Sequence, residues 1–207
     1  MDANHWDERY ETAEFVWKTE PNQFLPAEVD GLDAGRALDL GCGEGRNAVW
    51  LAGQGWSVIG VDFSQVGLDK GARLADKSGV DVDWVCADAT AWTPDSSFDL
   101  VIVFYLQLAQ DARRAAFTGA ARALAPGGTL LIVGHAGVNL VDGVGGPQDP
   151  SVLYDPDDVR ADLASAGVGD LVVDRAEHVR RSVDTPAGPR FAVDCLVRVH
   201  RPIKETP

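Results

Sequence analysis

The chain has few cysteines, few histidines and too few basic residues to balance its acids. Cys42, Cys86 and Cys195 are an odd set of three without metal-ligand spacing, so neither a disulfide framework nor a cysteine-held metal site is indicated, and reduced thiols are expected. Eighteen basic against 32 acidic residues leave a net charge of −14. That balance repels phosphate backbones and removes the electrostatic attraction on which most nucleic-acid binding rests, so RNA and DNA are not expected as partners. No apolar run approaches the length of a membrane span, and the opening Met1-Asp-Ala-Asn-His-Trp-Asp7 lacks the basic and apolar regions of a secretion signal. A cytoplasmic protein without membrane association is expected. Internal repeats and low-complexity segments are also missing, and 207 residues suffice for one domain with a full core.

What is present concentrates in Ala37-Leu-Asp-Leu-Gly-Cys-Gly-Glu-Gly-Arg-Asn47, which reads as a buried strand feeding a glycine turn and then a helix. Glycines fall at 41, 43 and 45, whereas a dinucleotide fingerprint would place the third at 46, where the chain has arginine. Residues without Cβ let the backbone pass close beneath a ligand, and free amides at the helix start can face its polar atoms. A plain strand-to-helix connection would use the same turn. The next apolar run, Ser57-Val-Ile-Gly-Val-Asp62, ends in an acid and is followed by Phe63-Ser64. A carboxylate there can accept both hydroxyls of a ribose. Asp62 or Ser64 also suits the cap of the next helix, Ser64 better.

Downstream, strands and helices alternate. Helices are predicted from Asn47 to Ala52, from Ser64 to Lys77 and from about Asp111 to Ala125, the last stopped by Pro126-Gly127-Gly128. Strands are predicted over Val80–Asp88, Phe98–Phe104 and Thr129–Val133, and another helix opens at Asp155-Pro156-Asp157-Asp158. Leu171 to Arg181 and Arg190 to His200 are strand-like with no helix between them, which predicts a hairpin with Phe191, Val193, Cys195, Val197 and Val199 on one face. The pattern implies a Rossmann-like, doubly wound α/β fold with a mostly parallel seven-stranded sheet and a C-terminal antiparallel hairpin.

The tight D-x-G-x-G-x-G turn and this order of elements resemble the class I S-adenosylmethionine-dependent methyltransferases, over about residues 36 to 200. The resemblance implies S-adenosyl-L-methionine as cofactor, bound outside the carboxyl ends of the strands. It places the methionine part against Asp39, Gly41, Cys42 and Gly43, the ribose on Asp62, the adenine between Phe63, Asp88 and Ala89, and the sulfonium near Phe104 and Tyr105. Taken alone, Asp88 equally suits a turn cap and Phe104 ordinary buried packing. His5-Trp-Asp-Glu-Arg-Tyr10 and the following Phe15-Val-Trp-Lys-Thr-Glu-Pro-Asn-Gln-Phe-Leu25 look like the opening of tellurite-resistance and thiopurine-type small-molecule methyltransferases. There the segment is a lid, which implies a helical arm over residues 1–30, a methyltransferase domain over 31–207, and Trp6, Arg9, Tyr10 and Trp17 over the cofactor. An amphipathic helix with its aromatics packed on the domain fits the same residues.

An activated sulfonium methyl needs mainly an aligned nucleophile and the exclusion of water. A thiolate requires no base, while a phenol or alcohol does. His135, just past the fifth strand, is the candidate base, with Tyr105 as second catalytic candidate and His5 a weaker one; a lone loop histidine is also a common hydrogen-bonding residue. The glycine-rich stretch from Ala136 to Pro150 is long for a connector and is expected beside the acceptor, with Asn139, Gln148 and Tyr154 as shaping residues. No acidic tetrapeptide follows the fourth strand, where Phe104-Tyr105-Leu106-Gln107 stands, and no histidine-acid cluster suggests a metal. The expected activity is therefore methyl transfer to a small molecule at sulfur or oxygen. A nucleotide-dependent oxidoreductase of related fold and a non-catalytic cofactor-binding protein are the alternatives.

Overall fold

The computed structural model describes residues 3–11, 15–16, 18–186 and 188–203, with side chains from Trp6 onward. Trp17 lies outside the described residues, as does the side chain of His5. Seven strands, β1 (Arg36–Leu40), β2 (Ser57–Asp62), β3 (Asp83–Cys86), β4 (Phe98–Phe104), β5 (Leu124–His135), β6 (Val172–Thr185) and β7 (Gly188–His200), form one sheet of order β3-β2-β1-β4-β5-β7-β6. The first five pair in parallel, and β7 inserts antiparallel between β5 and β6. This is the Rossmann-like, doubly wound sheet with a terminal hairpin that the alternating pattern implies. Strand order reverses between β1 and β4, which opens a crevice above their carboxyl ends.

β4 is apolar almost throughout because both of its faces are covered. Val101 and Val103 pack in the cluster that includes Phe117 of α5 (Gln110–Arg122) and Val159 of α7 (Pro156–Ser165), the helix after the short α6 (Asn139–Asp142). Leu100 and Ile102 pack on the other face with Leu25 of α2 (Leu25–Val29) and Leu51 of α3 (Arg46–Gly53). Each such side chain contributes roughly 1.5–3 kcal/mol when fully buried. Ser64 caps α4 (Gln65–Ser78) by accepting the Gly67 amide at 3.1 Å, and Gly79 closes it at φ +66°. At the head of α7, Asp158 accepts the Asp155 amide at 2.9 Å.

Three boundaries differ from the sequence reading. β3 is shorter than Val80–Asp88, because the Val80 amide is used to close α4 on the Ala75 carbonyl. α5 ends at Arg122, before Pro126-Gly127-Gly128. β5 begins at Leu124 and runs through those residues, held where the Gly127 amide donates to Arg201 and the Arg201 amide donates to Gly128.

Trp84 of β3 lies across three glycines. A Cβ would fall 2.4 Å from its indole at Gly45, 2.8 Å at Gly60 and 2.7 Å at Gly71. The ring thus ties the glycine turn, β2 and α4 into one unit. Gly60→Ala should cost about 1–3 kcal/mol through this overpacking, measured by urea unfolding followed through tryptophan fluorescence. An unchanged midpoint would mean that the indole has room to move.

Candidate active site

Strand β1 delivers Asp39 and then the glycine turn, whose Gly41, Gly43 and Gly45 all adopt positive φ (78°, 55° and 76°). The Gly41 and Cys42 amides donate to the Val61 carbonyl at the end of β2. That leaves the Gly41 carbonyl, rather than its amide, as the backbone group suited to a cationic ligand. Asp62 holds the turn in place: Oδ2 accepts the Gly43 amide at 2.8 Å and Oδ1 the Ser64 amide at 2.9 Å. Two oxygens with two lone pairs each keep capacity for further donors. Burial pushes the Asp62 carboxyl above the usual carboxylate range, against the backbone bonds from Ser64 and Gly43.

Asp39 is fully buried, and neither of its oxygens has a hydrogen-bond partner. Burial first, and then the neighbouring Asp62, raise its carboxyl to about 7, partly offset by the Ala48 backbone and Arg46. A buried, unsatisfied carboxyl beneath a glycine turn is costly to the fold and suited to a cation. Cys42, half-buried in the same turn, has its thiol pushed well above the ordinary value by burial and by Asp39 and Asp62, so it is inert there. Phe63 is half-buried beside Asp62, and Ala89 is buried. Asp88 is exposed and uses Oδ1 as a turn cap, accepting the Thr90 amide and hydroxyl at 2.8 Å each. Phe104 is buried in the core on the α2–α3 side, the plainer of its two readings.

The amino-terminal helix α1 (Ala3–Tyr10) docks against this end of the sheet. Asp7 accepts the Ser64 hydroxyl and approaches the Val66 amide at 3.4 Å. Tyr10 is buried, with its hydroxyl where a Cβ on Gly43 would meet it at 2.8 Å and its ring against Gly67. Trp6 stacks near Tyr10 with centroids 5.3 Å apart, and the Arg9 guanidinium lies 5.1 Å over the Trp6 ring. Further along, the Val16 amide donates to Glu44 of the glycine turn, which also pairs with Lys70 at 2.9 Å. The arm is therefore seated on the turn and on the start of α4.

At the other end of the crevice, Tyr105 leaves β4 at φ +55°, a strained backbone for a non-glycine residue. Its hydroxyl donates to Asp194 Oδ2 at 2.7 Å and accepts from Arg181 Nε at 3.0 Å. Burial and then Asp194 raise its pKa, so the hydroxyl keeps its proton and donates it in the bond to that carboxylate. His135 and Asp194 are a cross-strand pair of β5 and β7, so their side chains share a face. His135 Nδ1 lies 3.1 Å from Asp194 Oδ1, and Arg181 Nε donates to Asp194 Oδ2 at 2.7 Å. Burial alone would raise the fully buried Asp194 carboxyl, but hydrogen bonds from His135, Arg181 and Tyr105 hold it below the usual range. An ionised Asp194 accepts a hydrogen bond from Nδ1–H, the tautomer that leaves the lone pair on Nε2.

Glycine-rich residues do border this cluster: a Cβ at Gly146 would meet the His135 ring at 3.0 Å. The three shaping residues named above lie next to this cluster but turn their side chains to other partners. Asn139 is buried and braces the loop, donating to the Gly145 carbonyl and accepting the Val193 amide at 2.7 Å. Tyr154 is core, packed edge-on against Phe117 with its hydroxyl beside Gly134, and Gln148 is exposed. Asp194 and Arg181 escaped the sequence reading. The available signal was an acid inside the apolar run Phe191-Ala-Val-Asp-Cys-Leu-Val197, whose residues from Ala192 to Val197 are all buried. Among the described residues there is no cluster able to hold a metal ion and no helix long and apolar enough to cross a membrane.

Residues 37–128 match the methyltransferase domain family. The chain is 37% identical over 107 residues to a cypemycin N-terminal methyltransferase from a Streptomyces species, covering 49% of this chain and 42% of that protein. It is 31% identical over 124 residues to thiocyanate methyltransferase 1 from Arabidopsis thaliana, covering 58% and 53%. The chain thus matches about half the length of these relatives. A solved structure from work on the conversion of a disulfide bond into a thioacetal group in echinomycin biosynthesis superposes with a TM-score of 0.77 at 24% identity, covering 98% of this chain and 94% of that one.

The Asp39 carboxyl ionises near 4 when exposed and near 7 in the fold, so the fold loses stability as pH rises through that window, by about 4 kcal/mol at most. Asp39→Asn should therefore make the ligand-free protein more stable than the parent at pH 8 and bring the two together at pH 4. Urea midpoints at the two pH values check this; a less stable variant at pH 8 would mean that the carboxylate is well satisfied.

Proposed function

We propose that this chain, whose residues 37–128 match the methyltransferase domain family, is a class I S-adenosylmethionine-dependent methyltransferase that methylates a small molecule at an oxygen or sulfur atom, with His135 as the base. The hydrogen bond between His135 Nδ1 and buried Asp194 carries this reading, since it fixes the tautomer that a proton acceptor requires. The residues at the glycine turn fit the cofactor: the orphaned Asp39 carboxyl and the Gly41 carbonyl suit its ammonium, Asp62 its ribose, and Phe63 with Asp88 and Ala89 its adenine. When bound, the cofactor supplies a methyl group on a cationic sulfur. His135 Nε2 takes the acceptor proton, the Asp194 carboxylate stabilises the resulting imidazolium, and Tyr105 and Arg181 hold that carboxylate in place. The seated arm, through Tyr10, Trp6 and the Val16–Glu44 contact, excludes water from the transfer as a lid.

Oxygen acceptors gain most from such a base, because a thiol is already partly ionised near neutral pH. The test is transfer of labelled methyl from S-adenosylmethionine to a panel of phenols, alcohols and thiols, repeated with Asp194→Asn. For phenols, kcat should fall on the order of 10²-fold or more, with cofactor binding unchanged and a smaller loss for thiols. Equal kcat for both proteins on a phenol would remove His135 from the chemistry. Cofactor binding without transfer to any panel member would favour a non-catalytic protein.

A further inference from the structure

Arg46 is the charged side chain that this account leaves unused. It opens α3 directly after Gly45, is half-buried, and makes neither a hydrogen bond nor an ion pair among the described residues. A guanidinium carries five donors in a planar fork, and burying it without a partner is costly. Burial lowers its pKa, and the charged or ionisable groups acting on it are Tyr105, Asp39, Arg181 and Glu44. Arg46 follows the glycine turn directly and feels charges from both the turn and the Tyr105–Arg181 side of the crevice.

None of these neighbours neutralises it. Glu44 is committed to Lys70 and the Val16 amide. Asp39, raised to about 7, carries a proton for part of the time at neutral pH. Arg181 adds a second positive charge: its Nε serves Asp194 and Tyr105, while its two terminal nitrogens have no partner among the described residues. Arg181 thus has the Asp194 carboxylate as its partner while Arg46 has none, in a chain whose net charge is −14. Folding gains nothing from such a local excess of positive charge, whereas an oxyanion would satisfy both forks.

Building on the proposed methyl transfer, we propose that Arg46 and the free nitrogens of Arg181 bind a carboxylate-type oxyanion on the methyl acceptor, separate from the atom that His135 deprotonates. The cofactor's own carboxylate has the same chemistry, and the test separates the two sources. The complex with S-adenosylhomocysteine is titrated with acetate, and with acetamide as the neutral counterpart, at constant ionic strength, following the ¹⁵N-labelled arginine side chains by NMR. Acetate should shift the Arg46 and Arg181 Nε–H signals saturably while acetamide does not. Arg46→Gln should weaken acetate binding about tenfold or more and change S-adenosylhomocysteine affinity by less than about twofold, with Arg46→Lys in between for acetate. No saturable shift in the parent complex, or equal acetate binding in Arg46→Gln, would overturn the proposal. So would a loss of about tenfold in S-adenosylhomocysteine affinity, which would place Arg46 on the cofactor's carboxylate. Failure of the parent to bind S-adenosylhomocysteine would instead overturn the transferase reading, and the acetate titration of the ligand-free protein would then decide the anion site by itself.

Discussion

The Asp62 carboxylate organises the glycine-turn end of the molecule, the proposed cofactor site. It sits at the tip of β2, yet one oxygen accepts from Gly43 in the turn after β1 and the other from Ser64 at the head of α4. Two parallel strands and a helix are thereby locked around one buried charge. The glycine turn has positive φ at three positions, so it needs both the missing side chains and this external acceptor to keep its shape. Trp84 closes the unit from below by filling the space left at Gly45, Gly60 and Gly71. Asp39 lies beneath the same turn with neither oxygen in a well-formed hydrogen bond, so a second carboxyl is strained where the first is satisfied. Structure built at a cost to the fold is what a binding site for a cation looks like.

A second carboxylate, Asp194, does the corresponding work at the acceptor end. It gathers His135 from β5, Tyr105 from the end of β4 and Arg181 from β6, and it can do so only because β7 inserts antiparallel between β5 and β6. In the proposed reaction the inserted strand thus serves the chemistry as well as the sheet edge. Asp62 and Asp194 lie at the carboxyl-end rim on either side of the β1–β4 switch point, and Arg46 feels charged groups from both sides of it. This division into a cofactor half and an acceptor half follows from topology, while the choice of acceptor depends on side chains that the fold leaves free to vary.

Much of this was legible in the sequence because local chemistry and global fold agree. The apolar run Phe98–Phe104 is a central strand with the predicted bounds, Ser64 caps its helix, and the glycine turn joins β1 to α3. The glycine-turn half was readable as a structural unit because its residues are adjacent in sequence at the ends of successive strands. The acceptor half was less so. Its members come from positions 105, 135, 181 and 194, and only the β5–β7 register brings His135 opposite Asp194. Asp194 was hidden by reading the hairpin as one buried face, whereas β7 is covered on both faces along Ala192–Val197. Tyr154 looked like a pocket residue because it follows the glycine-rich loop, but it turns inward onto Phe117. Strand Val80–Asp88 was overextended because the helix before it needed the Val80 amide for its own closure.

Calorimetric titration of the protein with S-adenosylhomocysteine and, separately, with NADH tests the central claim most directly, since the claim is that this rim grips a sulfur nucleoside through Asp39, Asp62 and the glycine turn. The account predicts saturable one-to-one binding of S-adenosylhomocysteine and no measurable heat with NADH. Binding of NADH alone would contradict it.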